Sequence, residues 1–326
     1  MLIMQCAVTI AGTEFNQITS AKIERNRQDI HNAGTIIMPA KSGGEARKLE
    51  EIIAQGAPIT VRLGYRQTGL QTELEGYVSK VSPEVPYKIE VEDSAYMLRR
   101  TRLNRTWGSS VKLTEIVRYI VDQTNSQTQA GIRAVDTLPE ISLSSFRLSN
   151  ATAYQALQKI REAYGLSAYF RGNSLYVGLA YTETPGEVDY EFGRNIIDNK
   201  LSYKREDEQQ LQVQAVGILP DGSQVKPDPV GDPAGARRTV YSYTLTNATD
   251  LQNFAREEMQ RMRYEGYEGT FRSFLAPFCD HGYTVNLNDN RYPARSGAYL
   301  CKGVKVTYDS RQFGRRVVEL DRKISA

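Results

Sequence analysis

The spacing of apolar residues in the first hundred positions predicts short strands with one buried face. Apolar side chains recur at every second residue through Cys6–Ile10 and again through Ile59–Leu63, which is the period of a half-buried strand. A helical pattern at Ala46–Ala54 separates these strands and is followed by Gly56 and Pro58, residue types that end helices. We therefore expect a sheet interrupted by one short helix.

The segment 73–100 predicts two paired strands followed by an abrupt exit from the sheet. Pro83 and Pro86 place the bend between the strands in a loop or at an edge, because proline has no N–H to give to a ladder. Asp93 or Ser94 is suited to cap a helical turn immediately afterwards. A first domain is thus predicted to end where the chain leaves the sheet.

Helical periodicity is clearest in the middle of the chain. A helix that begins after Ser110, its candidate cap, has five apolar residues on one face: Leu113, Ile116, Val117, Ile120 and Val121. Further on, a strand, a helix closed by Gly165 and a hairpin that turns at 171–174 predict a compact βαββ module.

Strands return after residue 186. Alternation predicts strands at Leu201–Tyr203 and Leu211–Ile218, and a run rich in proline and glycine at 226–238 predicts a mobile loop. A capped helix then turns five apolar residues inward: Leu251, Phe254, Ala255, Met259 and Met262. More strands are predicted from there to the C-terminus.

The two ends of the chain resemble each other in the order of their elements. After a helix and a strand, the first end has a strand pair centred on Gly76–Val78 and Ile89–Val91, and the last end has one centred on Gly303–Lys305 and Val317–Glu319. Few identities support the match, so a true repeat and a coincidence both remain open. A true repeat means two similar β-barrels, and three such chains around an axis would present six barrels to a six-fold ring.

The predicted fold class is therefore α+β and β-rich, in three domains. Residues 1–100 form a first β-barrel, 101–185 an inserted α/β region, and 186–326 a second β-barrel with a long loop near 219–238.

Composition narrows the classes of function. The chain has 41 Lys and Arg against 38 Asp and Glu, a net charge of +3, which is too balanced to favour nucleic acid as the main partner. Twenty tyrosines favour sheet faces and interfaces. No leader pattern and no apolar run near 20 residues is visible, so we expect a chain that folds in the cytoplasm and does not insert into a membrane by itself. Cys6, Cys279 and Cys301 are interpreted as reduced thiols.

Catalytic chemistry finds little support in the sequence. Cys279, Asp280 and His281 form the one cluster that suggests a metal or a thiol with a base, but a zinc site needs further paired ligands. A charge run at 205–210 is typical of a solvated turn, and the glycines near residue 43 do not have the spacing of a phosphate loop. No catalytic, metal or cofactor site is predicted.

Aromatic and basic residues are interleaved in the segment 261–274. Such a set is able to stack bases, yet the surroundings are not basic enough for a nucleic-acid site, which favours a core or a subunit interface. We predict that Tyr264, Tyr267 and Phe271 lie at or near a subunit boundary. Arg99 and Arg100 are predicted to form ion pairs between domains.

Several of these segments together resemble a known family. The run 74–100, the following Trp107 and the helix from Leu113, the stretch 142–166 and the stretch 257–287 are similar to the baseplate hub proteins of contractile phage tails, particularly the Mu-like group. Related hubs form the upper part of type VI secretion spikes. The resemblance extends over nearly the whole chain in the order of its elements.

The resemblance implies a structural role without catalysis. It implies a homotrimer with two tail-tube-like barrels per subunit, placed in the baseplate of a phage, prophage or injection particle between the hexameric tail tube and the trimeric spike. Because the chain ends at Ala326 just after its last predicted strand, the spike is expected to be a separate protein. Other baseplate proteins are further expected partners, and no cofactor and no sequence-specific nucleic-acid contact are implied.

Two alternatives remain open on sequence grounds. The βαββ module also resembles the short domains of secretins, which would indicate an envelope-associated binding module. A cell-wall hydrolase attached to a tail component is the other alternative, although the sequence shows no acid pair or metal set for it.

Overall fold

The computed structural model describes residues 2–39, 52–82, 86–108, 110–143, 145–178, 185–205, 210–309 and 313–325. Strands account for 52% of the described residues and helices for 18%, so the predicted β-rich α+β class is confirmed. The predicted helix at Ala46–Ala54 lies mostly outside the described residues.

The first part of the chain consists of strands, as the period-two pattern predicts. These strands are β1 Met4–Ile10, β2 Thr13–Phe15, β3 Ser20–Asn26, β4 Ala33–Met38, β5 Pro58–Tyr65, β6 Gly69–Ser82 and β7 Tyr87–Glu92. The exit from the sheet is capped by a carboxylate, because Asp93 Oδ1 accepts a hydrogen bond from Ala95 N at 2.9 Å. Ser94 occupies the N-cap position itself but its side chain makes no capping bond.

The middle part alternates helices with short strands. Its elements are α1 Ala95–Arg100, β8 Arg102–Trp107, β9 Val111–Lys112, α2 Leu113–Thr128, β10 Arg133–Thr137, β11 Ser142–Leu143, β12 Phe146–Thr152, α3 Ala153–Tyr164, β13 Ser167–Arg171 and β14 Ser174–Gly178. The five predicted apolar residues of α2 are buried. The predicted cap is wrong, because the N-cap position is Lys112 rather than Ser110. Helix α3 has a capping box between Thr152 and Gln155 and ends at Gly165.

The last part returns to strands. Its elements are β15 Glu187–Glu191, β16 Ile196–Lys204, β17 Leu211–Ile218, β18 Gln224–Val225, β19 Val230–Gly231, β20 Ala236–Ser242, α4 Ala248–Met262, β21 Gly266–Ser273, β22 Thr284–Asn288, a 3-10 turn Pro293–Arg295, β23 Gly297–Asp309 and β24 Arg315–Ser325. The stretch predicted as a long loop contains β18, β19 and the start of β20, and all three pair with β17. Side chains of β17 pack both against α4 and against the middle part of the chain.

Both ends of the chain share one sheet. Within the described residues this sheet has 13 strands, and its two halves meet where β23 pairs antiparallel with β3. Neither half closes on itself through hydrogen bonds along the described strands. The structure therefore corrects the expectation of two separate barrels to two halves of a continuous sheet.

The duplication that the sequence left open is present in the connectivity of these halves. The first half runs β3-β4-β7-β6-β5-β1 and the second runs β16-β21-β24-β23-β22-β15, which is the same order once the strands of each half are numbered along the chain. The outermost pair differs, because β1 pairs antiparallel with β5 whereas β15 pairs parallel with β22.

Hydrogen bonds fix the register of the repeat. In each half, one strand residue makes two backbone hydrogen bonds to the residues just before the preceding strand. Val78 makes them with Ala57 and Gly56, and Cys301 makes them with Tyr283 and Gly282. Both glycines have positive φ, +88° and +81°, a region that favours glycine. A bulge follows each strand residue, before Lys80 and before Gly303. Val78 is thus equivalent to Cys301, a register that differs from the match predicted between Gly76–Val78 and Gly303–Lys305.

Candidate functional site

A buried charge network lies where the two halves of the sheet meet. Arg25 on β3 and Arg316 on β24 both bind Glu73 on β6, with Nη1–Oε2 and Nη2–Oε1 distances of 2.8 and 2.7 Å. The Glu73 and Arg316 side chains are fully buried and Arg25 is 6% exposed. Because an unpaired buried charge is very unfavourable, this network makes each half depend on the other.

Strand alternation explains how these cations come to lie inside. Arg25 shares the buried face of β3 with Ala21 and Ile23, and Arg316 shares the inward face of β24 with Val318. Arg25, Glu73 and Arg316 were not predicted from the sequence. The signal was present, since a period-two pattern puts each arginine on an apolar face.

Asp280 completes the network from the loop before β22. Its Oδ1 accepts from Arg25 Nε at 2.8 Å, and although burial opposes ionisation, the Arg25 charge lowers the pKa of Asp280 to about 2. Burial likewise opposes the charge on Arg25, but Asp280 and Glu73 raise its pKa. Arg25 and Asp280 are therefore both charged at neutral pH.

The predicted cluster of Cys279, Asp280 and His281 lies largely in the interior. Asp280 is engaged by Arg25, and Cys279 is fully buried. His281 is also fully buried, and its ring nitrogens have no hydrogen-bond partner among the described residues. Burial, reinforced by the charge of nearby Arg171, lowers its pKa to about 4. Among the described residues no three His, Cys, Asp or Glu side chains are arranged to hold a metal.

The predicted interface residues lie in two places. Phe271 is buried against Tyr190 with ring centroids 4.7 Å apart, Tyr267 donates from its hydroxyl to Asp289 Oδ2 at 2.6 Å, and Tyr264 is half-buried. All three lie in or beside β21, next to β16 at the end of the sheet. Their role at a subunit boundary stays a prediction.

The two predicted arginines lie where the first half meets the middle part. Arg99 forms an ion pair with Glu92 on β7 and stacks 4.5 Å from the ring centroid of Tyr154 on α3. Arg100 binds the hydroxyl of Tyr96 and lies over its ring. Arg99 therefore links β7 to the middle part, and the interdomain role of both arginines stays a prediction.

Strand β16 is the open end of the described sheet. Ile197 on this strand is 38% exposed, Asn199 is exposed, and Leu201 and Tyr203 are only half-buried. Asn199, Leu201 and Tyr203 are on the face that points to the core, because Leu201 lies opposite Gly269 as Ile23 lies opposite Gly34. The equivalent residues of β3 are almost fully buried: Ala21, Ile23 and Arg25.

A groove of about 680 Å³ lies beside this open strand. Its lining includes Phe192, Asn199, Tyr267, Asp289, Tyr292 and Arg295. The Arg295 guanidinium lies between two aromatic rings, 4.8 Å from the centroid of Tyr203 and 4.2 Å from that of Tyr292. An aromatic groove next to the open edge of a strand is suited to protein contacts.

Comparisons with known proteins identify the fold. A prophage MuSo2 43 kDa tail protein from Shewanella oneidensis superposes with a TM-score of 0.62 at 13% identity over 98% of both chains. A tail protein from Neisseria meningitidis MC58 gives 0.63 at 13% identity over 98% of this chain and 96% of that one. The E. coli c3393 protein, a type VI secretion component, gives 0.62 at 10% identity over 97% and 76%.

The chain thus has the fold of phage tail and type VI secretion proteins. No family model and no curated protein matches the sequence. No described helix is long and apolar enough to span a bilayer.

Proposed function

We propose that this chain is a structural baseplate hub of a contractile tail or of a phage-derived injection particle. In this role three copies form a ring that joins the hexameric tail tube to the trimeric spike. The ring carries no chemistry of its own, and it acts through the surfaces that it offers to its partners.

The duplicated half-sheet is the observation that carries this proposal. Each chain holds two copies of the same six-strand connectivity, so three chains around an axis present six similar units. Such a ring matches a six-fold partner through the half-sheets. It matches a three-fold partner through the middle part and the β17–β20 insert, which occur once per chain.

Several observations support a structural role. The superpositions on two tail proteins, one of them from a prophage, cover 98% of the chain. Three charged residues of the interior, Arg25, Glu73 and Arg316, are engaged with one another where β3 pairs with β23. They therefore stabilise the chain's own architecture.

The experiment is the solution mass of the purified protein, measured by light scattering over a dilution series. We expect a species near three times the 36.7 kDa chain mass. A strict monomer at every concentration, also in the presence of its spike and tube partners, would contradict the ring.

A further inference from the structure

Inside one chain, the pairing of β3 with β23 joins the two halves of the sheet, and this internal joint indicates how two chains pair. Within the chain, β3 pairs antiparallel with β23, so that Arg25 lies opposite Val304 and Glu24 opposite Lys305. The strand equivalent to β3 in the second half is β16, which lies at the end of the described sheet. The strand equivalent to β23 in the first half is β6.

The register of the repeat gives the residue of the second joint that is equivalent to each residue of the internal joint. Gly34 and Gly269 mark the same place in β4 and β21, so Glu24 corresponds to Ser202 and Arg25 to Tyr203. The bulges mark the same place in β6 and β23, so Val304 corresponds to Val81 and Lys305 to Ser82. Across a second joint between β6 and β16, the resulting pairs are Lys80 with Lys204, Val81 with Tyr203, and Ser82 with Ser202.

The core of the second half is incomplete in a single chain. The core of the first half includes Leu275, Val306 and Tyr308, which the second half contributes. Among the described residues, the core of the second half receives none from the first. The groove beside Tyr292 and Arg295 lies where side chains from another half would complete this core.

We infer that β6 of a second copy of this chain pairs antiparallel with β16 in this register and covers the groove. This inference rests on the proposed ring and specifies its joint. Pairing there gives hydrogen-bond partners to the open edge and buries the inward face of β16. Lys204 already pairs with Glu268, so Lys80 of the neighbour meets a neutralised group.

The chemistry of the two joints differs in one respect. Inside the chain the joint contains Arg25, Arg316 and Asp280. The residues at equivalent places in the second joint are Tyr203, Tyr87 and Ala54. The joint between chains is therefore aromatic and apolar where the internal one is ionic, so it forms without burying unpaired charge.

Paired cysteines test the register directly. Ser82 and Ser202 are equivalent to Lys305 and Glu24, whose side chains form an ion pair at 3.3 Å across the internal joint. Directly opposed residues have Cα atoms about 4.5–5.5 Å apart, within the range of a disulfide. We expect Ser82→Cys with Ser202→Cys in the same chain to give disulfide-linked dimers and trimers on mild oxidation, visible on a non-reducing gel.

The matched control is Ser82→Cys with Lys200→Cys. Lys200 is exposed on the same strand face, two residues from Ser202, and such a diagonal position is about 7–8 Å away. It should cross-link at least several-fold less. A trimer by light scattering with no preferential Ser82–Ser202 cross-link would overturn the edge pairing but leave the ring intact. A strict monomer at every concentration, also in the presence of its spike and tube partners, would overturn both.

Discussion

Glu73 is the residue on which the internal joint depends most directly. Glu73→Gln removes the charge that neutralises Arg25 and Arg316 while it keeps the size of the side chain. Breaking a buried ion pair by removing one partner costs about 3–5 kcal/mol. We expect the urea midpoint of unfolding to fall accordingly. Glu90→Gln is the control, because its ion pair with Lys88 is exposed and is worth at most about 1 kcal/mol.

Two buried groups have opposite pH dependences. Burial lowers the pKa of His281 to about 4, so its contribution to stability is complete above pH 6.5 and is lost as the pH falls from 6.5 to 4. Burial raises the pKa of Asp93 to about 7, so the folded state keeps a proton that the unfolded state releases at 3.8, and stability falls as the pH rises from 3.8 to 7. The wild-type slopes therefore oppose each other between pH 4 and 6.5.

Single variants separate these slopes. Asp93→Asn removes the slope due to Asp93, so the free energy of unfolding should rise by about 1 kcal/mol per pH unit between pH 4.5 and 6. His281→Gln removes the slope due to His281, so the free energy of unfolding should fall with pH at a similar rate. Urea unfolding at three pH values measures both, and parallel slopes for the two variants would refute the assignment.

Residue-level prediction from sequence succeeded where periodicity alone decides. The inward faces of α2 and α4 were predicted because Ile116, Ile120, Leu251 and Ala255 repeat at helical spacing. The partners of buried Arg25 were not predicted, because Glu73 and Asp280 are distant in sequence and converge only when the two halves pair.

At the scale of elements, a glycine lets the middle part pack closely against the β17–β20 insert. Gly165 ends α3 with φ +62°, and a Cβ there would overlap the ring of Tyr241 on β20. Gly193 also has positive φ, +79°, but faces open space. We expect Gly193→Ala to cost about 1 kcal/mol from its backbone alone. Gly165→Ala should cost at least about 1 kcal/mol more from the clash, measured by chemical denaturation, and equal losses would contradict the contact.

Strands were predictable from sequence, and their partners were less so. The bounds of β17 agree with the prediction, and the repeat was visible in the order of elements. Its register was not, because the bulges after Val78 and Cys301 shift a strand by one residue without any mark in the alternation. The fusion of both halves into one sheet depends on the pairing of β3 with β23. The alternation within each strand does not indicate which other strand it pairs with.

At the scale of the whole molecule, the inward face of β16 separates folding from assembly. Leu201 is half-buried in one chain, whereas the equivalent Ile23 is 1% exposed. Leu201→Asp should therefore leave the single chain folded, with a melting temperature within a few degrees of the wild type. It should weaken the trimer, because the joint buries this position and the burial of a carboxylate is unfavourable.

Sedimentation velocity over a dilution series measures the effect on assembly. Losing the burial of one leucine, about 1.5–3 kcal/mol, corresponds to a rise of roughly 10- to 100-fold in the dissociation constant, and the added charge increases it further. Lys200→Asp is the control, because Lys200 lies on the same strand with its side chain in solvent. If both variants assemble as the wild type does, the half-exposed face of β16 is not the surface that meets the neighbouring chain. If Leu201→Asp alone fails to assemble, the duplicated half-sheet is the element that builds the ring.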